Sequence, residues 1–527
     1  MNQLGVRSFV VLALALAVCC HSLQAQAQPP AAPLKKPDRA TIAALQKRVP
    51  ELLNEATIPG LSLALIRNGK TYWAHSFGVR DEKTRAPVTE ETIFEAASLS
   101  KPVFAYGVLK LVDRGKLDLD IPLSRYMPQL YVEGDRRIDK ITARIVLSHR
   151  TGFPNWRGAG HPLEIYFTPG ERFSYSGEGF VYLQKVVEAI TGKPLNEYMS
   201  EAVFRPLGMA SSSYVWRPDY DSRTATGHDF SGQPTDKRKP KDANVAWSLH
   251  TTAADYARFL EALINGKGLK RATLRELERP QVAVDPECAS CTDRAPKELS
   301  KNVFWGLGVG IQQTRDGESL WHGGDNGSFK CYMLAYPKQK IGVAMFANGE
   351  NGLSITEEVV RLAMGGEQPA FAWSKNDTYD SPAMRFAKVA SEKGATAAID
   401  EFRPALTTGD ISESSVNKAG YQMLRLKKLA DAIQIFQLNV MLHPRSWIYV
   451  FDTTYHNNGK VIVALNMGGA TVNQTFTIQN ASGVTSMTPV QVSSSRHLTQ
   501  LIAISVANNT FTYALPPQSV TTFEQFP

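Results

Sequence analysis

Ser98-Leu99-Ser100-Lys101, within Phe94-Glu95-Ala96-Ala97-Ser98-Leu99-Ser100-Lys101, places a serine one helical turn ahead of a lysine at the start of an apolar run. Residues three apart on a helix share a face, so the Lys101 amine comes within reach of the Ser98 hydroxyl. A serine hydroxyl attacks only once a base takes its proton, and a lysine held out of water supplies that base. Val103, Tyr106, Leu109 and Val112 recur behind the pair at helical spacing, and Gly115 closes the helix. Ser98 therefore falls at a helix N-terminus, where the backbone dipole favours developing negative charge. The same tetrapeptide pattern recurs at Ser415-Val416-Asn417-Lys418 in surroundings without catalytic character, so the pattern alone decides nothing.

Working outward, Ile42 to Leu53 has helical apolar spacing, and Pro59-Gly60 interrupts it. Leu61 to Ile66 and Thr71 to Phe77 read as two strands joined by a tight turn at Asn68-Gly69. Arg137 to about Pro280 mixes short helices with Gly- and Pro-rich loops, and Ala253 to Leu263 is an amphipathic helix. Strands return at Gly306 to Gln313, Lys330 to Tyr336 and Ile341 to Asn348. The pattern predicts an α/β (α+β) fold: one sheet assembled from distant parts of the chain, with a helical insertion facing it.

A serine and a lysine still need a proton shuttle for the leaving group and donors for the oxyanion. Tyr175, in Pro169-Gly170-Glu171-Arg172-Phe173-Ser174-Tyr175-Ser176-Gly177, is the candidate shuttle, and His322-Gly323-Gly324 is the candidate strand edge. In this order, with Leu117-Asp118-Leu119-Asp120-Ile121-Pro122-Leu123 and Ile145-Val146-Leu147-Ser148-His149-Arg150-Thr151-Gly152-Phe153-Pro154 between them, these segments resemble the serine β-lactamase and penicillin-binding-protein superfamily, in particular its class C-like branch. The resemblance covers about residues 40 to 363. It implies an antiparallel sheet flanked by helices, with a mainly helical lobe. It also implies that Ser98 forms an acyl-enzyme, that Lys101 assists its deprotonation, and that Tyr175 takes and returns protons. The backbone amides of Ser98 and Asp325 would form the oxyanion hole, and His322, Gly323 and Gly324 would align the substrate. No metal or organic cofactor is needed for this chemistry.

Two positions depart from the family pattern. Gly177 stands where relatives often carry the asparagine of Tyr-x-Asn, which contacts the lysine and a substrate acylamide. His322 replaces the lysine of Lys-Thr-Gly, and a histidine titrates near neutrality. Both departures lean away from β-lactams and toward small esters, with D-amino-acid peptides and β-lactams as alternative substrates. A reading of another class is a non-catalytic relative that captures peptidoglycan or polysaccharide fragments. The sequence contains no Gly-x-Ser-x-Gly elbow and no His-Glu-x-x-His zinc pair.

The 527 residues allow two or three domains, and 43% hydrophobic with 20% charged residues is ordinary for a globular protein. The formal charge of +8 is spread along the chain, with no basic run interleaved with aromatics, so nucleic acid is not an expected partner. Arg7, the apolar stretch Phe9 to Cys20 and Ala25-Gln26-Ala27 read as a secretory signal peptide over 1–27, with a membrane anchor or a lipidated Cys19 as alternatives. The expected location is therefore secreted or periplasmic. Cys288-Ala289-Ser290-Cys291 has zinc or redox spacing but no second pair, so a local disulfide or free thiols is expected.

A linker over 28–38 precedes the hydrolase-like domain, 39–363, and a linker with a helical segment fills 364–447. Within it, Glu367 to about Ser414 reads as polar and helix-poor, and Ala419 to Leu442 as a helical hairpin turning near Lys427-Lys428. Gly420-Tyr421, Ala432-Ile433, Phe436, Asn439 and Pro444 resemble one helix pair of a tetratricopeptide-like repeat, read here as a strut rather than a peptide-binding surface. Beyond Trp447 the composition turns to Thr, Val, Ser, Asn and Gln, and residues 448–527 read as an all-β domain. It resembles the C-terminal part of the β-sandwich of glucuronoxylanase-type glycoside hydrolases, which makes polysaccharide contact a possible role. The catalytic barrel of those enzymes is absent from the sequence.

Overall fold

The computed structural model describes residues 32–443 apart from 128, 130 and 159–161, and beyond them the segments 448–451, 461–466, 471–477, 486–493, 496–500, 504–507, 510–515 and 519–524. The proposed signal peptide and the composition break at Trp447 lie outside the described residues.

The hydrolase-like region is built on one antiparallel nine-stranded sheet. Its order is Ala86–Pro87, Lys70–Asp81, Gly60–Arg67, Ile341–Ala347, Lys330–Tyr336, Gly317–Asp325, Gly310–Thr314, Val303–Trp305 and Val282–Ala283. The early hairpin turns at Asn68 and Gly69, both at positive φ, as a two-residue turn between twisted strands requires. It meets the late strands along Gly60–Arg67, where Leu61 lies opposite Ala347 and Ile66 opposite Gly342. Side chains alternate between the faces of this central strand. Leu61, Leu63 and Leu65 enter the layer beneath helices Arg39–Glu55 and Thr356–Met364, whereas Ala64 and Ile66 enter the core shared with Ser100–Asp113 and Ala253–Asn265. The central strands are apolar almost throughout because both faces are covered.

Two readings of local structure are corrected. Gly306 to Gln313 is not all strand: a turn in which Gly306 donates to the Val309 carbonyl separates Val303–Trp305 from Gly310–Thr314. Gly308 makes that turn at φ +82°, and a Cβ there would lie 2.3 Å from Ala105 of the helix behind Ser98. The second correction concerns Glu367 to Ser414, which is helical, forming Pro369–Ser374, Pro382–Lys393 and Ala395–Thr408 before Glu413–Arg425 begins. The apolar stripe there is made largely of alanines (Ala383, Ala387, Ala390, Ala395 and Ala398), small enough to weaken the periodic signal but buried against Phe386 and Phe402.

The hairpin Glu413–Arg425 and Leu429–Leu442 turns at Lys427, φ +63°, as expected. It packs on the preceding helix pair in one apolar cluster, so a neighbour covers the face that a single helix pair would leave open. Farther on, Ile448–Phe451, Val461–Asn466, Ser519–Glu524, Ser486–Ser493 and Arg496–Gln500 pair antiparallel in one sheet, and Val472–Thr477 pairs with Thr510–Leu515. Cys288 and Cys291 form a disulfide, and Cys331 is a buried free thiol. Among the described residues, no helix is long and apolar enough to cross a membrane.

Candidate active site

Ser98 sits in the single 3-10 turn Ala97–Leu99 that leads into helix Ser100–Asp113. Ala97 takes φ +47°, a strained conformation for an alanine, directly before the nucleophile candidate. The turn is gripped from two sides. Ala96 donates its amide to the Leu249 carbonyl, and Gly324 of strand Gly317–Asp325 presses so close that a Cβ there would lie 2.9 Å from the Ala96 carbonyl oxygen. Only a glycine lets the strand edge approach this near.

Lys101 is 1% exposed, and its Nζ donates to Ser98 Oγ at 3.2 Å and to the Ala246 carbonyl at 2.8 Å. Among the described residues no carboxylate pairs with it, and burial drives its pKa down to about 7. The amine also lies 4.8 Å from the centre of the Tyr175 ring. Among the described residues the buried Tyr175 hydroxyl has no hydrogen-bond partner, and it lines the same cleft as Ser98. Burial pushes this phenol well above the usual tyrosine range, offset in part by the Ser98 hydroxyl. The three side chains expected to act together thus converge, and Ser98, Lys101 and Tyr175 line one cleft of about 390 Å³.

The remaining sequence candidates divide. Asp325 lines the cleft, its carboxylate held by Lys330 and by the Gly327 amide, and Gly323 and Gly324 form the adjoining strand edge opposite Tyr332 and Cys331. His322 does not reach the cleft wall: its side chain is 1% exposed, packed edge-on against Trp305 and Tyr175. Burial and, secondarily, the nearby Lys101 lower its pKa to about 3, so it is a neutral buried ring and not a group titrating near neutrality. Gly177 is the first residue of helix Gly177–Thr191, which Ser176 caps, and a Cβ on Gly177 would lie 2.7 Å from the Trp156 indole. The space an asparagine side chain needs is therefore filled by Trp156, itself on the cleft wall.

Several contributing residues carried no readable role in the sequence. His149 is buried at φ +53°, accepts the Ser176 amide on Nδ1 at 2.9 Å, and stacks on Tyr175 at 4.1 Å. Burial, reinforced by Lys101 and His322, lowers its pKa, so it is a neutral shelf that fixes the Tyr175 ring. The Tyr175 amide donates to the carbonyl of Ala289, inside the Cys288–Cys291 loop. At the rim, Arg238 donates to Glu95 at 3.0 Å and to the Asn326 carbonyl at 2.8 Å. Glu95 is buried, which raises its pKa, with Arg238 and then Asn326 opposing that rise. Nothing in Lys237-Arg238-Lys239 separates this arginine from its neighbours before folding. A larger cavity, about 910 Å³, opens between Asn54 and Gln233 and shares no lining residue with the Ser98 cleft.

This fold and this cleft define a class. The chain belongs to the Beta-lactamase family, whose model matches residues 44–363. Among curated relatives it is similar to Protein flp of Staphylococcus aureus (strain N315), 22% identical over 325 residues, covering 58% of this chain and 62% of that protein. It thus spans about three fifths of the length of the flp relatives. Penicillin-binding protein 4 of Amycolatopsis lactamdurans is 25% identical over 347 residues, covering 61% of this chain and 88% of that protein. Among solved structures, the octameric penicillin-binding protein homologue from Pyrococcus abyssi superposes with a TM-score of 0.52 at 23% identity, over 66% of this chain and 81% of that one. D-alanine carboxypeptidase AmpC from Burkholderia cenocepacia gives 0.50 at 19% identity, over 61% and 98%. These two structural likenesses bear on the fold.

Proposed function

We propose that the protein is an exported serine hydrolase of the class C-like branch that cleaves small carboxylic esters through an acyl-Ser98 intermediate. The observation that carries this reading is the 3.2 Å contact between Ser98 Oγ and a buried Lys101 whose pKa is about 7. In its neutral form Lys101 takes the Ser98 proton as Oγ attacks the ester carbonyl. The amides of Ser98 and Asp325 hold the oxyanion. As the tetrahedral intermediate collapses, the carbon–oxygen bond to the leaving alcohol breaks, and the proton taken up by Lys101 reaches that oxygen through Tyr175, leaving Lys101 neutral again. Water then attacks the acyl carbon as its proton passes through Tyr175 to Lys101, the bond from that carbon to Ser98 Oγ breaks, and the proton returns to Oγ as the acid is released.

The preference for esters is supported by what lines the cleft. Trp156 covers Gly177, so this position offers no side-chain amide to an acylamide group, and His322 is buried and neutral. Hydrolysis of D-alanyl peptides is the second reading. It is favoured by Arg238 at the rim, a cation for a peptide carboxylate, and by the carboxypeptidase name of one solved relative. Purified protein assayed on p-nitrophenyl esters, nitrocefin and D-alanyl-D-alanine peptides tests the choice. The ester reading expects the highest kcat/KM on short esters, and faster turnover of either other class overturns it.

A further inference from the structure

We propose that helix Glu413–Arg425 carries a carboxylate-binding subsite that extends the Ser98 cleft, so that the favoured substrate is an ester with a carboxylate set away from the scissile bond. This rests on the reading of Ser98 as the nucleophile.

The cleft does not end at the strand edge. Asp325 and Gly327 are shared with a second cavity of about 410 Å³, whose far wall is this helix. Ser414, Lys418, Tyr421 and Arg425 recur at helical spacing, so one face of the helix forms that wall. The helix is fixed against the hydrolase region there. Arg425 bonds to Glu350 at 2.6 Å, and Gln422 donates to the same carboxylate at 3.4 Å.

The charges around the joined cavities are unequally matched. Lys330 is held by Asp325, Arg425 by Glu350, and Arg238 by the buried Glu95. Lys418 has no carboxylate within ion-pair distance among the described residues, although it is exposed on the cavity wall. On the near side, Arg238 uses Nη1 for Glu95, and its Nη2 lies beside Gly327. A substrate chain passing over Gly327 therefore runs from a neutral catalytic pair toward an unmatched ammonium. Gly327, at φ +72°, offers that chain no side chain to climb over.

The same geometry disposes of the second Ser-x-x-Lys sequence as a nucleophile. Ser415 donates its hydroxyl to Asp377 at 3.1 Å and is not on the cavity wall. Its partner Lys418 faces the cavity of the first copy.

The carboxylate could lie on the acyl chain or on the alcohol, so the test has both arms. One arm compares p-nitrophenyl esters of ω-carboxyalkanoic acids with their methyl-capped counterparts. The other compares acetate esters of hydroxyalkanoic acids with their methyl-capped counterparts. The quantity read is the ratio of kcat/KM for the free carboxylate over the capped form. In Lys418→Glu this ratio is expected to fall roughly three- to tenfold in at least one arm, the scale of an exposed ion pair and its reversal. Lys418→Ala falls less, Lys418→Arg restores the ratio, and high salt narrows the gap between wild type and Lys418→Glu. A ratio that stays the same in all variants and both arms overturns the subsite while capped esters still turn over. If the wild type hydrolyses no ester and Ser98 takes no fluorophosphonate, the hydrolase reading itself has failed, and the subsite with it.

Discussion

At the scale of single residues, the decisive quantity is the charge on Lys101. Its folded pKa of about 7 lies below the ordinary 10.5, so the amine is neutral above about pH 7 and protonated below it. Only the neutral form can take the Ser98 proton. kcat/KM on an ester should therefore rise with pH through about 7 and then level off, since the Tyr175 phenol titrates far higher and His322 near 3. A pH–rate profile with no rising limb between about pH 6 and 8 would contradict this assignment.

The meeting of Ser98, Lys101 and Tyr175 in one cleft was legible in the chain, because each is marked by its neighbours in sequence. The character of His322 was not. Its neutrality comes from burial beside Trp305 and Tyr175, which sequence separates from it. The meaning of Gly177 was half legible: the missing amide could be read, but not the Trp156 ring in its place. Gly177→Asn should lower unfolding stability by about 1–3 kcal/mol through overpacking, and Trp156→Ala in the same chain should recover most of the loss. Urea denaturation of the three variants measures this; equal stability of Gly177→Asn and wild type would show that the ring does not block the site.

At the scale of elements, the tyrosine segment and the nucleophile turn are each held from outside. The Tyr175 amide is bonded to Ala289, and Arg172 reaches the Thr292 carbonyl, so the loop closed by Cys288 and Cys291 braces the proposed proton shuttle. Replacing both cysteines with serine is expected to reduce kcat by about tenfold, because a small misplacement of a catalytic group is costly, while ester KM changes little. Unchanged kcat in the double variant would mean that the loop is only a surface staple. The short spacing pointed to a local disulfide, yet its role depends on the backbone contact of Ala289 with Tyr175, more than a hundred residues away in sequence. Elements also show where periodicity misleads. Gly308 breaks an apparent strand to make room for Ala105, and the alanine-rich helices between Pro382 and Thr408 bury too little volume per residue to stand out beforehand.

At the scale of the whole molecule, the sheet closes between the hairpin near residue 60 and the strands near residue 340, and the helical lobe between them supplies the lysine's other partner, Ala246. That order of strands, helices and strands was readable, because an antiparallel sheet covered on both faces leaves long apolar runs. The placement of helix Glu413–Arg425 beside the cleft was not, since it rests on the Glu350 ion pair and on packing rather than on any periodicity. All of these parts converge on one hydroxyl. Intact-mass and peptide mass spectrometry of the folded protein after exposure to a fluorophosphonate is the most direct measurement. The account predicts a single adduct located on Ser98, abolished in Ser98→Ala together with ester turnover. Full turnover by Ser98→Ala, or an adduct located on any other residue, would contradict it.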